Sequence, residues 1–283
     1  PWVREADVVC LNWVNQGMLS LGGVERIAAM GKPLVWTMHD MWCATGLCHH
    51  AGDCTRYREA CGRCPLIERP PRTADLSRRR FERKQLAYGR SGITFVAVST
   101  WLAARCHDSA LLRGERVEVI PNAFPVEDFS LTPSMSRAEL GLPDDGRHII
   151  VMGAARLDDP IKGLPIAVDA LNKLAESGYG DRFLPVFFGA LRDRAALAAL
   201  RVPHVHLGTV ADPARLRALY AHARAVLSTS LYETLPGTLI EGQASGAYPV
   251  SFGRGGQGDI IDPPRTGYIA RHLDAADIAC GLA

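Results

Sequence analysis

No apolar run in this sequence approaches the roughly eighteen residues of a membrane-spanning helix, and no charged, apolar, small-residue leader opens it. Those two absences lead to the expectation of a cytosolic protein. Net charge is nearly lacking as well, at +2, which argues against a nucleic-acid binder whose whole surface is basic. Repeats and low-complexity tracts are missing, and with 47% hydrophobic and 22% charged residues the composition is neither disordered nor collagen-like. The 283 residues suffice for two medium domains, each with a core of its own.

Two things are unevenly distributed. The stretch from Arg56 to Arg90 holds eleven Arg or Lys against four Asp or Glu, a local excess suited to an anionic acceptor or to peripheral contact with an anionic membrane face. Five of the eight cysteines fall between Cys43 and Cys64, which in a reducing compartment suggests metal binding before disulfides.

Short β-branched runs alternate with amphipathic stretches, the pattern of βαβ units around parallel sheets. Strands are expected at 7–11, 33–37, 93–98 and 117–120, with helices at 23–30, 76–89 and 100–112. A polar, proline-bearing connection follows, and the rhythm restarts with strands at 149–153, 184–188, 205–207, 225–228 and 248–252 and helices at 164–177, 194–200, 213–223 and 236–245. The expectation is α/β: an acceptor-side Rossmann-like lobe over 1–130, a linker over 131–147 and a second Rossmann-like lobe over 148–283, both doubly wound, with a cleft between them. Ligands in such sheets sit beyond the carboxyl ends of the strands, so the residues just after each strand are candidates for chemistry.

After strand 225–228 the chain reads Thr229, Ser230, Leu231, Tyr232, Glu233, Thr234, Leu235, Pro236, Gly237, Thr238, Leu239, Ile240, Glu241. Proline favours the first helical position, so a helix should start near Pro236, with Glu233 on the loop before it and Glu241 inside. A carboxylate accepts two hydrogen bonds and suits vicinal hydroxyls of sugar or ribose, and free amides at a helix start suit phosphate. The plain alternative is a glutamate favouring the helix dipole and another in solvent. After strand 149–153, Arg156 and Lys162 place two cations on one short loop, as a departing diphosphate requires.

Arg156 and Lys162 with their loop, the spacing of Glu233 and Glu241, Ala244 to Val250, and Gly255 to Ile261 resemble retaining glycosyltransferases of family four, with the GT-B fold. Val119 to Phe124 is similar to the end of that family's first lobe. The resemblance implies a nucleotide-sugar donor as co-substrate, its diphosphate held by Arg156 and Lys162, its ribose by Glu241 and its sugar hydroxyls by Glu233. The resemblance also implies that the loop from Thr234 to Thr238, with Leu235, Pro236, Gly237 and Thr238, gives backbone amides to phosphate. No catalytic metal is expected. Ala155 and Gly237 depart from the family pattern; a glycine at 237 would loosen packing beside the sugar.

Trp36 to Trp42 resembles a subgroup that builds exported polysaccharide, such as colanic-acid-type enzymes. The resemblance sets His39 against the donor sugar and Asp40 on the side of a saccharide or lipid-linked acceptor; as a bland alternative, His39 merely caps the strand end. Cys48, Cys54, Cys61 and Cys64 read either as a structural zinc site or as reduced thiols. Cys10, Cys43, Cys106 and Cys280 read as small buried residues. Ser99 and Asn122 read as cleft residues or as cap and turn formers.

Gly253, Gly255 and Gly258 also satisfy the dinucleotide fingerprint, but Pro263 and Pro264 stop the helix that fingerprint must open. A GT-B nucleotide-sugar epimerase and a non-catalytic zinc or anion-binding module are the remaining alternatives. The first lobe is expected to lack its opening βα units and the second its final helix.

Overall fold

In the computed structural model the described residues are 2–15, 17–67, 74–89 and 91–283, so part of the basic 56–90 stretch lies outside them. The chain forms two compact units, Pro1–Asn122 and Ala123–Ala283.

The first unit runs α1 (Trp2–Glu5), β1 (Val9–Leu11), α2 (Leu21–Ala28), β2 (Leu34–Met38), α3 (Leu76–Tyr88), β3 (Ile93–Ala97), α4 (Thr100–Asp108) and β4 (Arg116–Val119). Its four strands are parallel in the order β1-β2-β3-β4. Along β2 the buried residues are Leu34, Trp36 and Met38, and Trp36 packs on Trp42, Tyr88 and Phe95 at centroid distances of 6.0 to 6.1 Å. Ser20, Asp75 and Ser99 cap α2, α3 and α4 by accepting first-turn amides. Thus Ser99 is a cap. Helix α4 stops at Asp108, short of the expected Leu112, because Ser109 turns extended and donates its hydroxyl to Ala44 O at 2.7 Å.

The second unit runs β5 (His148–Arg156), α5 (Leu164–Leu174), β6 (Phe183–Ala190), β7 (Val205–His206), α6 (Pro213–His222), β8 (Ala223–Ser228), α7 (Gly237–Ala244), β9 (Tyr248–Phe252), β10 (Tyr268–Ala270) and α8 (Ala275–Leu282). All strand pairs are parallel, in the order β10-β9-β8-β5-β6-β7. The order therefore reverses between β5 and β8. Ile150 and Met152 of β5 pack with α5 and α8, whereas Ile149 and Val151 pack with α6 and α7, so the central strand is buried on both faces.

Two expectations change. The 194–200 helix is a single 3₁₀ turn, Arg194–Leu197, because buried Asn172 takes Ala199 O and the Arg201 amide for its own side-chain bonds. Strand β5 runs on through an irregularity between Gly153 and Arg156, where a Cβ at Gly189 would stand 1.7 Å from Ala154 O. Only glycine admits that approach.

No helix among the described residues is long and apolar enough to cross a membrane. Cys43 and Cys106 are buried as expected, but Cys10 and Cys280 are exposed, the first on edge strand β1 and the second off the buried stripe of α8.

Asp75 connects the cysteine-bearing loop to α3. Only 2% exposed, it accepts from Arg78 N, the Ser77 hydroxyl and Cys64 N at 3.1, 2.6 and 2.6 Å. Burial opposes its charge, but those bonds together hold the carboxyl below its ordinary value. Asp75→Ala removes the cap and strands the Cys64 amide, so we expect a loss of about 2 kcal/mol. All five tryptophans lie between Trp2 and Trp101. Urea unfolding followed by tryptophan fluorescence therefore reads the first unit, and an unchanged midpoint would show that Asp75 does not tie the loop.

Candidate donor site

Parallel sheets leave a crevice at the carboxyl ends of their strands where the order reverses. In the second unit that place is the ends of β5 and β8. A cavity of about 170 Å³ lies there, lined by Gly153, Lys162, Ser230, Glu233, Gly237 and Thr238 among others.

The β5 end continues into the loop 156–163, which is strapped to the β8 end. Leu231 N donates to Ile161 O at 2.8 Å, and the Thr229 hydroxyl reaches Lys162 O and Gly163 O at 3.1 and 3.0 Å. Gly163 has φ +64°, and a Cβ there would stand 2.2 Å from Thr229 O. Lys162 Nζ consequently reaches Glu233 Oε1 at 2.6 Å, with side chains 30% and 20% exposed. Arg156 is engaged differently. Its Nη2 donates to Asp159 Oδ2 at 2.7 Å, while its Nε stands 3.7 Å from Asp158 Oδ1, too far for a hydrogen bond. Asp158 in turn accepts both Arg192 N and Asp193 N at 2.9 Å, which hold its carboxyl below the ordinary value.

Helix α7 starts at Gly237, one residue after the expected Pro236, which stands in the cap position and offers no side-chain acceptor. The helix start thus faces the cavity uncapped. A Cβ at Gly237 would lie 3.1 Å from the Phe124 ring, so that ring occupies the space the sequence suggested would be loose. Glu241, on α7, is half-buried and does not line the cavity; nor do Arg156 and Leu235. Burial pushes the Glu241 carboxyl up, opposed by the Tyr220 hydroxyl.

Gly255 of the rejected dinucleotide fingerprint, with its neighbour Gly256, has another use. Gly256 N donates to Glu233 O at 3.0 Å, and a Cβ at Gly255 would fall 1.7 Å from that oxygen. The chain then makes a single 3₁₀ turn, Gly256–Asp259, in place of a helix. The sequence fingerprint missed this backbone contact, which fixes the glutamate from behind.

In the first unit, His39 and Asp40 follow β2 as expected. Exposed His39 places Nε2 3.3 Å from Asn12 Oδ1. Asp40 accepts from Trp13 Nε1, Trp42 N and His49 Nδ1 at 3.0, 2.7 and 2.7 Å. Asn12, Trp13 and His49 were not singled out by the sequence.

Cys48, Cys54, Cys61 and Cys64 are all free thiols. They lie near one another: burial chiefly, then the charges of Cys64, Cys61 and Cys54, push the Cys48 thiol up to about 11. Cys61 Sγ accepts Gly46 N at 3.2 Å. Among the described residues, however, no three His, Cys, Asp or Glu side chains converge as metal ligands do. Beneath the loop, fully buried Lys84 donates to Thr45 O at 2.9 Å and lies 3.3 Å over the Trp42 ring.

The model of the family described as glycosyl transferases group 1 matches residues 146–283. No curated protein sequence matches the chain. Among solved structures, sucrose-phosphate synthase from Thermosynechococcus elongatus is similar with a TM-score of 0.68 at 17% identity, over 98% of this chain and 64% of its own. HepE of Anabaena in complex with UDP has a TM-score of 0.67 at 17% identity, over 99% of this chain and 68% of its own. A glycosyltransferase from Rickettsia africae has a TM-score of 0.61 at 15% identity, over 97% of this chain and 86% of its own. The chain thus spans about two thirds of the first two. It has the α/β GT-B fold of these structures, and the match to the glycosyl transferases group 1 model falls within its second unit.

Proposed function

We propose that this chain belongs to a retaining glycosyltransferase that takes a sugar from a nucleoside-diphosphate donor and places it on a hydroxyl acceptor in polysaccharide or glycolipid synthesis. The observation that carries this reading is the Lys162–Glu233 pair beside the uncapped start of α7, at the strand-order reversal of the second unit. The family pattern over residues 146–283 supports it, as does the neighbour HepE, which is described in complex with UDP-glucose.

In this reading the diphosphate sits on the amides of Gly237 and Thr238, with Lys162 turning from Glu233 toward the phosphate and Arg156 beside it. Glu233 accepts hydroxyls of the transferred sugar, and Glu241 accepts those of the ribose. As the C1–phosphate bond breaks, negative charge gathers on the leaving oxygen, where the fixed cation and amides stabilise it. The acceptor oxygen bonds to C1 from the face the phosphate leaves, and its proton passes to the departing phosphate oxygen. The work of the protein is then orientation and charge stabilisation. Synthesis on the cytosolic side, with the basic stretch 56–90 toward an anionic surface, suits the subgroup that the Trp36 to Trp42 segment resembles.

Binding is the first test: this chain should bind UDP or another nucleoside diphosphate in calorimetry, and no binding of any of them at millimolar concentration would overturn the reading. In the full-length enzyme at saturating donor, Lys162→Met should lower turnover on the order of a hundredfold, roughly 3 kcal/mol, because the charge it faces grows in the transition state. Glu241→Ala should instead raise the donor KM, since ribose contacts barely change during bond cleavage. Unchanged turnover for Lys162→Met would place the diphosphate elsewhere.

The upward push on Glu241 carries a pH prediction. Its carboxylate, the form that accepts hydroxyls, is lost on acidification above the ordinary glutamate value of 4.5. Nucleoside-diphosphate affinity should therefore begin to fall at a pH above that value in the native chain, and Glu241→Gln should abolish the step.

We assign a structural zinc to Cys48, Cys54, Cys61 and Cys64, on the chemistry and mutual nearness of the four thiols and the Gly46 N–H bond to Cys61 Sγ. The sulfurs must draw closer to hold it. Freshly purified protein should carry about one zinc per chain, absent from the Cys61→Ser, Cys64→Ser double variant; metal-free native protein would leave reduced thiols.

A further inference from the structure

The loop after β2 doubles back. Met41 N donates to His49 O at 2.8 Å, which returns residue 49 to the strand's carboxyl end beside Asp40. There the Asp40 carboxylate, only 13% exposed, takes Trp42 N on Oδ1 and both Trp13 Nε1 and His49 Nδ1 on Oδ2. An ionised carboxylate only accepts, so the proton in the bond to His49 belongs to Nδ1. A neutral ring in this bond is held in one tautomer, with the lone pair of Nε2 directed away from Asp40. The ring is 41% exposed. It is a hydrogen-bond acceptor held in place and left open to a ligand.

Trp13 completes the arrangement. Its indole N–H is spent on Asp40, its ring lies 5.9 Å from the His49 ring at a 40° tilt, and 45% of the residue is exposed. A large apolar face fixed by its own polar end, next to an oriented acceptor, suits a ligand with an apolar face and hydroxyls at its rim. A pyranose has both: its axial C–H bonds cover one face and its hydroxyls project at the edge. Asn12 and His39, bonded to one another at 3.3 Å, follow the same two strands, β1 and β2, and add polar groups nearby.

We propose that Trp13, Asp40 and His49 form a saccharide subsite on the first unit, in which the sugar's C–H face lies on the Trp13 ring and one hydroxyl donates to His49 Nε2. Asp40 is a positioning residue that acts through the imidazole and the indole. Assigning the subsite to the acceptor rests on the glycosyltransferase reading above; the binding of sugar to it does not. None of the described residues named in this arrangement, Asn12, Trp13, His39, Asp40 and His49, is an Arg or Lys that would hold a phosphate, so it suits the neutral part of an acceptor.

The test uses the chain as it is, with methyl α-D-glucoside, methyl α-D-mannoside and methyl α-D-galactoside as probes. Saturation-transfer NMR should show contact of at least one glycoside with the protein, and tryptophan fluorescence should titrate with it, since every tryptophan is in the first unit. Trp13→Ala should abolish the transfer, with Trp13→Phe retaining part of it. His49→Phe should weaken binding about tenfold, the value of one hydrogen bond, whereas His49→Gln, whose amide oxygen accepts, should restore most of it. Asp40→Asn should also weaken it, because its amide can donate to Nδ1 and move the ring proton to Nε2. UDP binding should be the same in all five variants. Failure of every glycoside to bind, or binding indifferent to Trp13→Ala and His49→Phe, overturns the subsite. Loss of UDP binding by the native chain would instead overturn the donor reading and leave this result standing.

Discussion

Lys162 meets Glu233 because the chain can bring the loop after β5 within contact distance of the end of β8, and that approach depends on Gly163. Its positive φ turns the backbone, and its missing side chain leaves room for Thr229 O where a Cβ would stand at 2.2 Å. The Thr229 hydroxyl then bonds two successive carbonyls across the gap, and Leu231 N bonds a third. Three backbone-directed bonds thus position a flexible lysine. Without them its four-carbon stem would sample many rotamers, at an entropy cost for each contact formed.

The same device acts from the other side. Gly255 lets the chain after β9 press against Glu233 O, and Gly256 N bonds that oxygen. The segment after β8 is thus held by two glycine-permitted approaches, Gly163 against Thr229 O and Gly255 against Glu233 O. This accounts for Gly255, one of three glycines whose spacing resembles a dinucleotide fingerprint in a stretch that opens only one 3₁₀ turn. Glycine spacing reports that some backbone comes close, not which one; here it is the protein's own.

How far the sequence was legible depends on the range of the interactions involved. Strands buried on both faces, such as β5, β8 and β9, read as apolar β-branched runs, and Glu233 and Lys162 stand beside strand ends, where function is sought in a parallel sheet. Helix ends were harder, because α4 is cut short by a bond from Ser109 to Ala44, and the turn after Asp193 by Asn172, both distant partners. The three-donor sites at Asp40 and Asp75 likewise join residues separated by long loops. Pattern cannot announce them. Phe124 against Gly237 is the instructive case: the glycine suggested looseness, yet the volume belongs to a side chain over a hundred positions earlier.

The charges of the candidate donor site are already paired with one another: Lys162 with Glu233, and Arg156 with Asp159 and, more distantly, Asp158. In the proposed function a diphosphate would compete with these carboxylates, so part of its attraction would be offset by opening the pairs. Half-buried cations left alone would carry their desolvation unrelieved. Pairing lowers that cost, and it adds selectivity. A bare phosphate exchanges one anionic partner of Lys162 for another and leaves Glu233 unpartnered. A phosphate with a sugar attached supplies an anion for Lys162 and hydroxyls for Glu233 in the same event, so both halves of the broken pair are satisfied. Under the proposed function, the pair would favour a nucleotide that carries its sugar over the product that has lost it, and would give the site a way to release the spent nucleotide once the sugar has moved.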